Sequence, residues 1–525
     1  MNTEDQTITT SSTDAATAAV AAKPTPGING SGVYRWDDPN EINRKLAALT
    51  SQPVWEVNDN YYENTILKYY DEKCTRSKAI YEEAKEYIPG GVQHNLAFNK
   101  PFPVAFAKAS GAHLYDEDGN EYIDFLQAGG PTILGSNYEP IRKAVINLLE
   151  TCGPVTGLLH EAELLIAKEI NKHMPNVEMF RMLGSGTESV MASLRIARIA
   201  TGHKRVIKTG GAYHGWSDQM VYGLKIPGSR GLLESHGIPG SSYGRTDEIR
   251  PNDLNMLEHM LRRNKRKGGT AAVLVEPVGP ESGTRPVAFD YNKGVRELCD
   301  KYGALLIFDE VVTGFRVGLS GAQGLFDVVP DLTVFGKIVA GGYPAAGGVG
   351  GKKEYAQLMA AGLATGKHRA YVGGTLAANP LSALAGYTAI REIARTGACE
   401  IAGRAGDRLT DGLKELIDRY GLPFVAYNQG SIVHLECTGA MSFDFSSFSL
   451  VKSAMGLLKN KKMMYERKDS MERMGAAYMA NGIVTLAGSR LYTSMADTDE
   501  IIDEALNRFE HVFKEVVKTD KCSGK

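Results

Sequence analysis

No run of 18 or more uncharged apolar residues occurs in this 525-residue chain, so no membrane span is expected. Excess positive charge is also missing. A formal net charge of −2 argues against the broad basic surface that nucleic-acid binding needs. The six cysteines (Cys74, Cys152, Cys299, Cys399, Cys437, Cys522) are scattered without a Cys-x-x-Cys pair, a usage that fits free thiols in a reducing cytoplasm. Residues 1–32 lack the basic start and apolar core of a secretion signal. Glu4, Asp5 and Asp14, with no arginine among them, count against a mitochondrial transit peptide. His160-Glu161 opens like a zinc helix, but position 164 is leucine rather than histidine, so no metal site is expected. No internal repeat is present.

With 43% apolar and 23% charged residues the composition is that of an ordinary globular protein, and the length predicts two or more domains. Residues 1–32, rich in Thr, Ser, Ala, Pro and Gly, are expected to form a flexible tail. Residues 33–88 carry helical patterns and form an N-terminal extension that stops at Ile88-Pro89-Gly90-Gly91. Residues 89–130 hold a hairpin around Asp118-Gly119 and begin a small domain. From about 160 onward strands alternate with helices: Met179–Leu183, Arg205–Thr209, Ala271–Val275, Ala304–Phe308 and Leu332–Phe335 are the expected strands, with helices such as Glu188–Thr201 and Asn292–Tyr302 between them. This predicts an α/β fold, a mostly parallel sheet with helices on both faces over residues 131–380. Residues 381–520 read as a smaller α+β lobe.

Two strand ends carry the chemistry. Ala304–Phe308 runs straight into Asp309-Glu310, and Leu332–Phe335 ends at Gly336-Lys337. Ligands of open α/β sheets sit beyond the carboxyl ends of strands. An acid and an amine there suit pyridoxal phosphate, with Asp309 keeping the pyridine nitrogen protonated and Lys337 forming the Schiff base. A lone lysine after a strand is more often a solvated end, but Gly336 and the run Gly341–Gly348 leave room beside it for a bulky group. Gly184-Ser185-Gly186-Thr187-Glu188 follows a strand and opens a helix, so it can cradle a phosphate or merely cap the helix. It fails both the P-loop and the Gly-x-Gly-x-x-Gly spacing. Tyr213, in Gly210-Gly211-Ala212-Tyr213-His214-Gly215-Trp216, can stack on a flat ring or pack on the core. Glu276-Pro277 ends another strand, and its carboxylate is either functional or a salt-bridge partner.

The segment Asp309-Glu310-Val311-Val312-Thr313-Gly314-Phe315-Arg316 with Lys337, together with Ser-Gly-Thr-Glu, Tyr-His-Gly, Glu-Pro-Val and Gly373-Gly374-Thr375-Leu376-Ala377-Ala378-Asn379-Pro380, resembles the class III aminotransferases. The resemblance spans about residues 85–515 and looks closest to the glutamate-1-semialdehyde aminomutase branch. It implies fold type I, pyridoxal 5'-phosphate, a Schiff base at Lys337 and Asp309 on the pyridine nitrogen. Ser185, Gly186 and Thr187 would hold the phosphate, with Tyr213 and Val311 on the two ring faces. Glu281 would lie near the cofactor's phenolic oxygen. Gly374 and Thr375 would reach the neighbouring subunit's phosphate in a homodimer. The branch's Asn-Ser-Pro-Val-Arg is replaced here by Val92-Gln93-His94-Asn95-Leu96-Ala97, which removes its carboxylate-anchoring arginine, and Gly184 stands for its usual asparagine. His94, Trp216 and Arg490 are candidate substrate contacts. Arg490 suits a carboxylate, though a salt-bridge arginine would read the same. The expected reaction is transamination between a small amino donor and a carbonyl acceptor. An aminomutase or racemase shares every cofactor residue, and a non-catalytic binding protein on the same scaffold would have no need of both Asp309 and Lys337.

Overall fold

The computed structural model describes residues 24–223, 235–362, 368–440 and 454–519. Its centre is a seven-stranded sheet of β1 (Met179–Leu183), β2 (Arg205–Thr209), β3 (Thr246–Ile249), β4 (Thr270–Val275), β5 (Leu305–Asp309), β6 (Leu332–Gly336) and β7 (Gly347–Gly351), in the order β1-β7-β6-β5-β4-β2-β3. Every neighbouring pair is parallel except the two made by β7, which runs antiparallel between β6 and β1. The strands read as unbroken apolar runs because both faces are covered. Leu305 and Ile307 of β5 join Val190 and Leu194 of helix α1 (Gly186–Thr201) on one side. Leu306 and Phe308 pack on the other with Leu257 and Val295, from α2 (Leu254–Lys265) and α3 (Tyr291–Tyr302). The glycines that end α1 and α3, Gly202 and Gly303, take left-handed φ of 70° and 68°.

Two strands of this sheet escape the sequence pattern. β3 is short and half acidic, with Asp247 bonded to Arg205, Arg263 and Asn264. β7 has the sequence Gly-Gly-Val-Gly-Gly, and in the sequence its first two residues read only as the end of the glycine-rich run after Lys337. It is a buried strand because nothing larger fits. A Cβ at Gly347 would stand 2.3 Å from Ser185 O, one at Gly348 2.3 Å from the Phe180 ring, and one at Gly351 2.3 Å from Asp331 O.

The expected hairpin forms as His113–Asp116 and Glu121–Asp124 within a four-stranded sheet that also takes Phe106–Ser110 and Ile483–Val484. Val425–Gln429, Ile432–Glu436 and Arg490–Tyr492 make a separate three-stranded sheet. The helix Pro380–Thr396, expected to open the small lobe, packs instead against Glu139–Thr151, Glu161–His173 and the turn after β6, sharing a core with Ile338 and Val339. The N-terminal extension is helical over Pro39–Ser51 and Thr75–Tyr87, but its Trp55–Val57 also pairs as a strand with Val516–Lys518. Residues 24–32 do not behave as the end of a tail. Ser31 is buried, Gly32 N donates to Val317 O at 2.8 Å, and a Cβ at Gly32 would meet Cys399 O at 2.1 Å. Close backbone contact seats this segment, and such contact leaves no hydrophobic period to read. The expectation of a tail over residues 1–23 lies outside the described residues, as does Cys522; the other five cysteines are free.

Because β7 touches backbone atoms of Ser185 that cannot move aside, Gly347→Ala should destabilise the protein by about 1–3 kcal/mol, the usual cost of overpacking. Thermal unfolding followed by circular dichroism checks this, and an unchanged midpoint would contradict the packing described.

Candidate active site

Parallel pairing sets Val334 of β6 beside Asp309 of β5, so β6 runs on to Gly336 and delivers Lys337 just past the acid's level. Lys337 opens the turn Lys337–Ala340 with φ of 49°, a left-handed conformation costing a non-glycine residue about 1–3 kcal/mol. Burial pulls its amine below the ordinary lysine range, and the nearby Arg490 and Arg316 add to this, against Tyr492 and Glu281.

The acids of Asp309-Glu310 part company, as alternation along a strand demands. Glu310 turns into the structure, accepting from Ala322 N at 2.7 Å and from Thr313 Oγ1 at 3.0 Å. Asp309 faces the site. Its Oδ1 accepts from Val311 N at 3.2 Å, and Oδ2 lies 2.7 Å from Nδ1 of the fully buried His214. Burial pushes the His214 pKa down despite this acid, so the neutral ring donates through Nδ1. Lys208, buried in β2, donates to the carbonyls of Met220 and Tyr222 and so fixes the far end of the loop that carries Tyr213 and His214.

Ser185 caps α1, its Oγ accepting from Glu188 N at 3.2 Å. The capping and anion-cradling roles are compatible, since the first free amides of the helix still face outward. Val311 closes the floor between the two turns. A Cβ at Gly186 would stand 3.0 Å from Val311 Cγ2, and one at Gly336 2.8 Å from Val311 Cγ1. Gly186 and Val311, a phosphate-loop residue and a ring-face residue in the expectation from sequence, are therefore adjacent.

Glu276, at the end of β4, is held by backbone donors: Oε1 accepts from Tyr213 N (2.9 Å) and Glu281 N (3.0 Å), and Oε2 from Ser282 N (2.7 Å). Burial beside Asp309 and Glu281 pushes its carboxyl up to about 8, while these N–H bonds favour the ionised form. Glu281 and Ser282 take φ of 53° and 57°, both left-handed without being glycine. The Glu281 carboxylate meets Arg490 Nη2 at 2.8 Å. Arg490 is therefore neither a surface arginine nor a vacant anchor; its first partner is an acid of the site itself.

Arg316 was quoted in the sequence motif without a role. It is fully buried and spends all five N–H groups: two on Gly130 O, and one each on Gln127 Oε1, Ser431 Oγ and Thr493 O. Burial pulls it down to about 10. Its guanidinium lies 4.9 Å from the centre of the Tyr492 ring. A Cβ at Gly130 would sit 3.5 Å from Lys337 Cδ and 3.6 Å from Tyr492 Cζ, so Tyr492 faces the lysine across that glycine. Tyr492 and His214 were both missed as site residues. Tyr492 stands two residues after Arg490 on one strand, which puts them on the same face, and that spacing could have found it.

The remaining candidates lie further out. Tyr213 is about half exposed and Trp216 is 73% exposed. His94 is spent on a local turn, its Nδ1 accepting from Leu96 N at 3.1 Å. Leu96 reaches the site instead, 4.0 Å from a Cβ at Gly129 that would itself be 3.8 Å from Lys337 Nζ. Gly374 and Thr375 are exposed, and Gly374 lies beside Glu188 of α1 in the same chain. Among the described residues no group of acids, histidines and cysteines could hold a metal, and His160 serves as the cap of Glu161–His173.

The class-III aminotransferase family model matches residues 97–513. Glutamate-1-semialdehyde 2,1-aminomutase of Acetivibrio thermocellus is 37% identical over 444 residues, 83% of this chain and 96% of that protein. Among solved structures, an omega-transaminase from Sphaerobacter thermophilus has a TM-score of 0.74 at 27% identity, covering 85% of this chain and 99% of that one. A transaminase with PLP bound has a TM-score of 0.73 at 27% identity, covering 84% and 98%. With an acid and a lysine at adjacent strand ends and a helix N-terminus beside them, the chain belongs to the class-III aminotransferases and is a pyridoxal-phosphate-dependent enzyme.

Proposed function

We propose that this enzyme moves an amino group from a carboxylate-bearing amine to a carbonyl acceptor, with Lys337 as the covalent tether and proton carrier. The observation that carries this is the placement of Lys337 and Asp309 at the ends of two paired strands, the amine pushed toward its neutral form by burial. The cradle fits the cofactor. Gly186 leaves the approach to the helix N-terminus open over Val311, and the Asp309 carboxylate takes one backbone donor on Oδ1 and the His214 ring on Oδ2, each oxygen able to accept further. Ser185, Gly186 and Thr187 would hold the phosphate, Tyr213 and Val311 would flank the ring, and Asp309 would hold a proton on its nitrogen.

Bound pyridoxal phosphate supplies a carbonyl that condenses with amines and a ring that accepts electrons. The chain's own groups do the rest. With the cofactor bound, Lys337 would tether it through Nζ and, as a free amine, would accept the proton lost from the substrate carbon, a task that needs the neutral amine. His214 keeps the Asp309 carboxylate oriented. Arg490 receives the donor's carboxylate, which must replace Glu281 at the guanidinium.

Gly374 and Thr375, exposed beside Tyr371 and Leu376, would complete the phosphate site of a second copy, making the enzyme a homodimer. The free thiols suit a cytoplasmic protein. Intramolecular amine transfer is the second reading, favoured by the 37% identity with a protein of that name over 96% of its length. A racemase would use the same cofactor residues. Net exchange between an amino acid and a keto acid marks the transferase; rearrangement with no co-substrate marks the mutase.

Lys337→Ala should abolish turnover with every donor, and surviving amino exchange would refute the assignment. The neutral amine is the form that captures the cofactor. The capture rate of the apoprotein, followed by absorbance, should therefore reach half its maximum below pH 10.5, the ordinary lysine value. A midpoint at or above that value would contradict the burial argument. Arg490→Ala should raise KM for a carboxylate-bearing donor at least about tenfold, or about 1.4 kcal/mol, and leave KM for a simple alkylamine unchanged. Equal KM values for the acidic donor in both proteins would remove Arg490 as its anchor.

A further inference from the structure

The carboxylate of Glu276 holds two loops at once. On one side it takes the backbone N–H of Tyr213; on the other it takes those of Glu281 and Ser282. No side-chain hydrogen bond or ion pair of its own occupies it among the described residues, so a buried acid is devoted to backbone. The loop it holds is tightly confined. A Cβ at Gly279 would meet Arg285 O at 2.2 Å, and one at Gly283 would meet Gln429 Oε1 at 2.4 Å. Thr284 Oγ1 also donates to Glu281 O at 2.9 Å. Between the two glycines stand Glu281 and Ser282, both in left-handed conformations that side chains disfavour. Their amides are the ones that bind Glu276. Such strain persists where surrounding bonds over-determine it, and it collects at functional sites.

The outcome of this arrangement is the direction of one side chain. With its backbone held in place, Glu281 extends to Arg490 Nη2, while Arg490 Nε is buried with no hydrogen-bond partner among the described residues. The guanidinium is thus already held by one acid, and a second acid reaches it only in competition with the first.

We propose that Glu276 is a positioning residue for substrate specificity: by pinning the strained Glu281-Ser282 backbone to the loop of Tyr213, it sets how firmly Glu281 competes with a substrate carboxylate for Arg490. The proposal rests on the assignment of Arg490 as the carboxylate anchor. Loosening the pin weakens the internal competitor, so the effect falls on acidic donors and operates through Glu281.

The test is Glu276→Gln in the holoenzyme, compared in wild-type and Glu281→Gln backgrounds. The amide keeps one oxygen for Tyr213 and Glu281 but sets a donor against the donor of Ser282. The expected result is a fall of about fivefold in KM for a carboxylate-bearing donor, no shift in KM for a simple alkylamine, and no further fall when Glu281 is already Gln. Hydrogen–deuterium exchange of the apoprotein should quicken at the amides of residues 281–282. Should Glu276→Gln not fold, Glu276→Asp, which keeps both oxygens on a shorter stem, is expected to give the same signs. Equal KM shifts for both donors, the same shift in the Glu281→Gln background, or unchanged exchange at 281–282 would overturn the proposal. An Arg490→Ala variant with unaltered KM for the acidic donor would instead overturn the anchor on which it rests.

Discussion

A carboxylate at the base of a cleft has to have its charge answered, since an unpaired ion taken out of water costs several kcal/mol. Asp309 is 5% exposed, and its environment answers that charge only in part. Val311 N and His214 Nδ1 supply donors, and His214 stays neutral because burial outweighs the acid beside it. A cation from the protein here would satisfy Asp309 and leave nothing for a ligand. The site instead offers a negative charge flanked by a neutral donor, the condition for protonating a ring nitrogen.

The cations of the site are kept apart by giving each a different partner. Arg316 is saturated by carbonyls, an amide oxygen and the Ser431 hydroxyl and lies against the Tyr492 ring. Arg490 is paired with Glu281. Lys337 is left to burial, which together with the two arginines favours its neutral form. The division has a mechanical side. Arg316 ties Gly130, where a Cβ would stand 3.5 Å from Lys337 Cδ, to Ser431 and Thr493, so the backbone beside the reactive amine is bonded to the edge of the three-stranded sheet.

How much of this could be read from the chain follows from the range of each interaction. Asp309 and Lys337 were legible because a strand buried on both faces leaves an unbroken apolar run, and the first charged residue after it marks the strand's end. The place of Ser185, Gly186 and Thr187 between a strand and a helix was legible because β1 ends just before them and α1 opens with them. β7 was not, because a strand of glycines has no apolar period and is dictated by Ser185, Phe180 and Asp331, all distant in sequence. His214 was hidden because its partner lies 95 positions away, and the Glu281–Arg490 pair joins residues 209 apart. The seat of residues 24–32 depends on backbone contact with Val317 and Cys399, which composition cannot report. Helix Pro380–Thr396 was grouped with the residues of the expected smaller lobe but shares a core with Ile338 and Val339, since a helical pattern fixes which face is buried but not what covers it.

The account stands on one lysine. Reducing the holoenzyme with borohydride and mapping its peptides by mass spectrometry tests that directly: the pyridoxyl mass should appear on the peptide containing Lys337 and be absent from the peptide containing the buried Lys208. Label on another lysine, with Lys337 unmodified, would contradict the account.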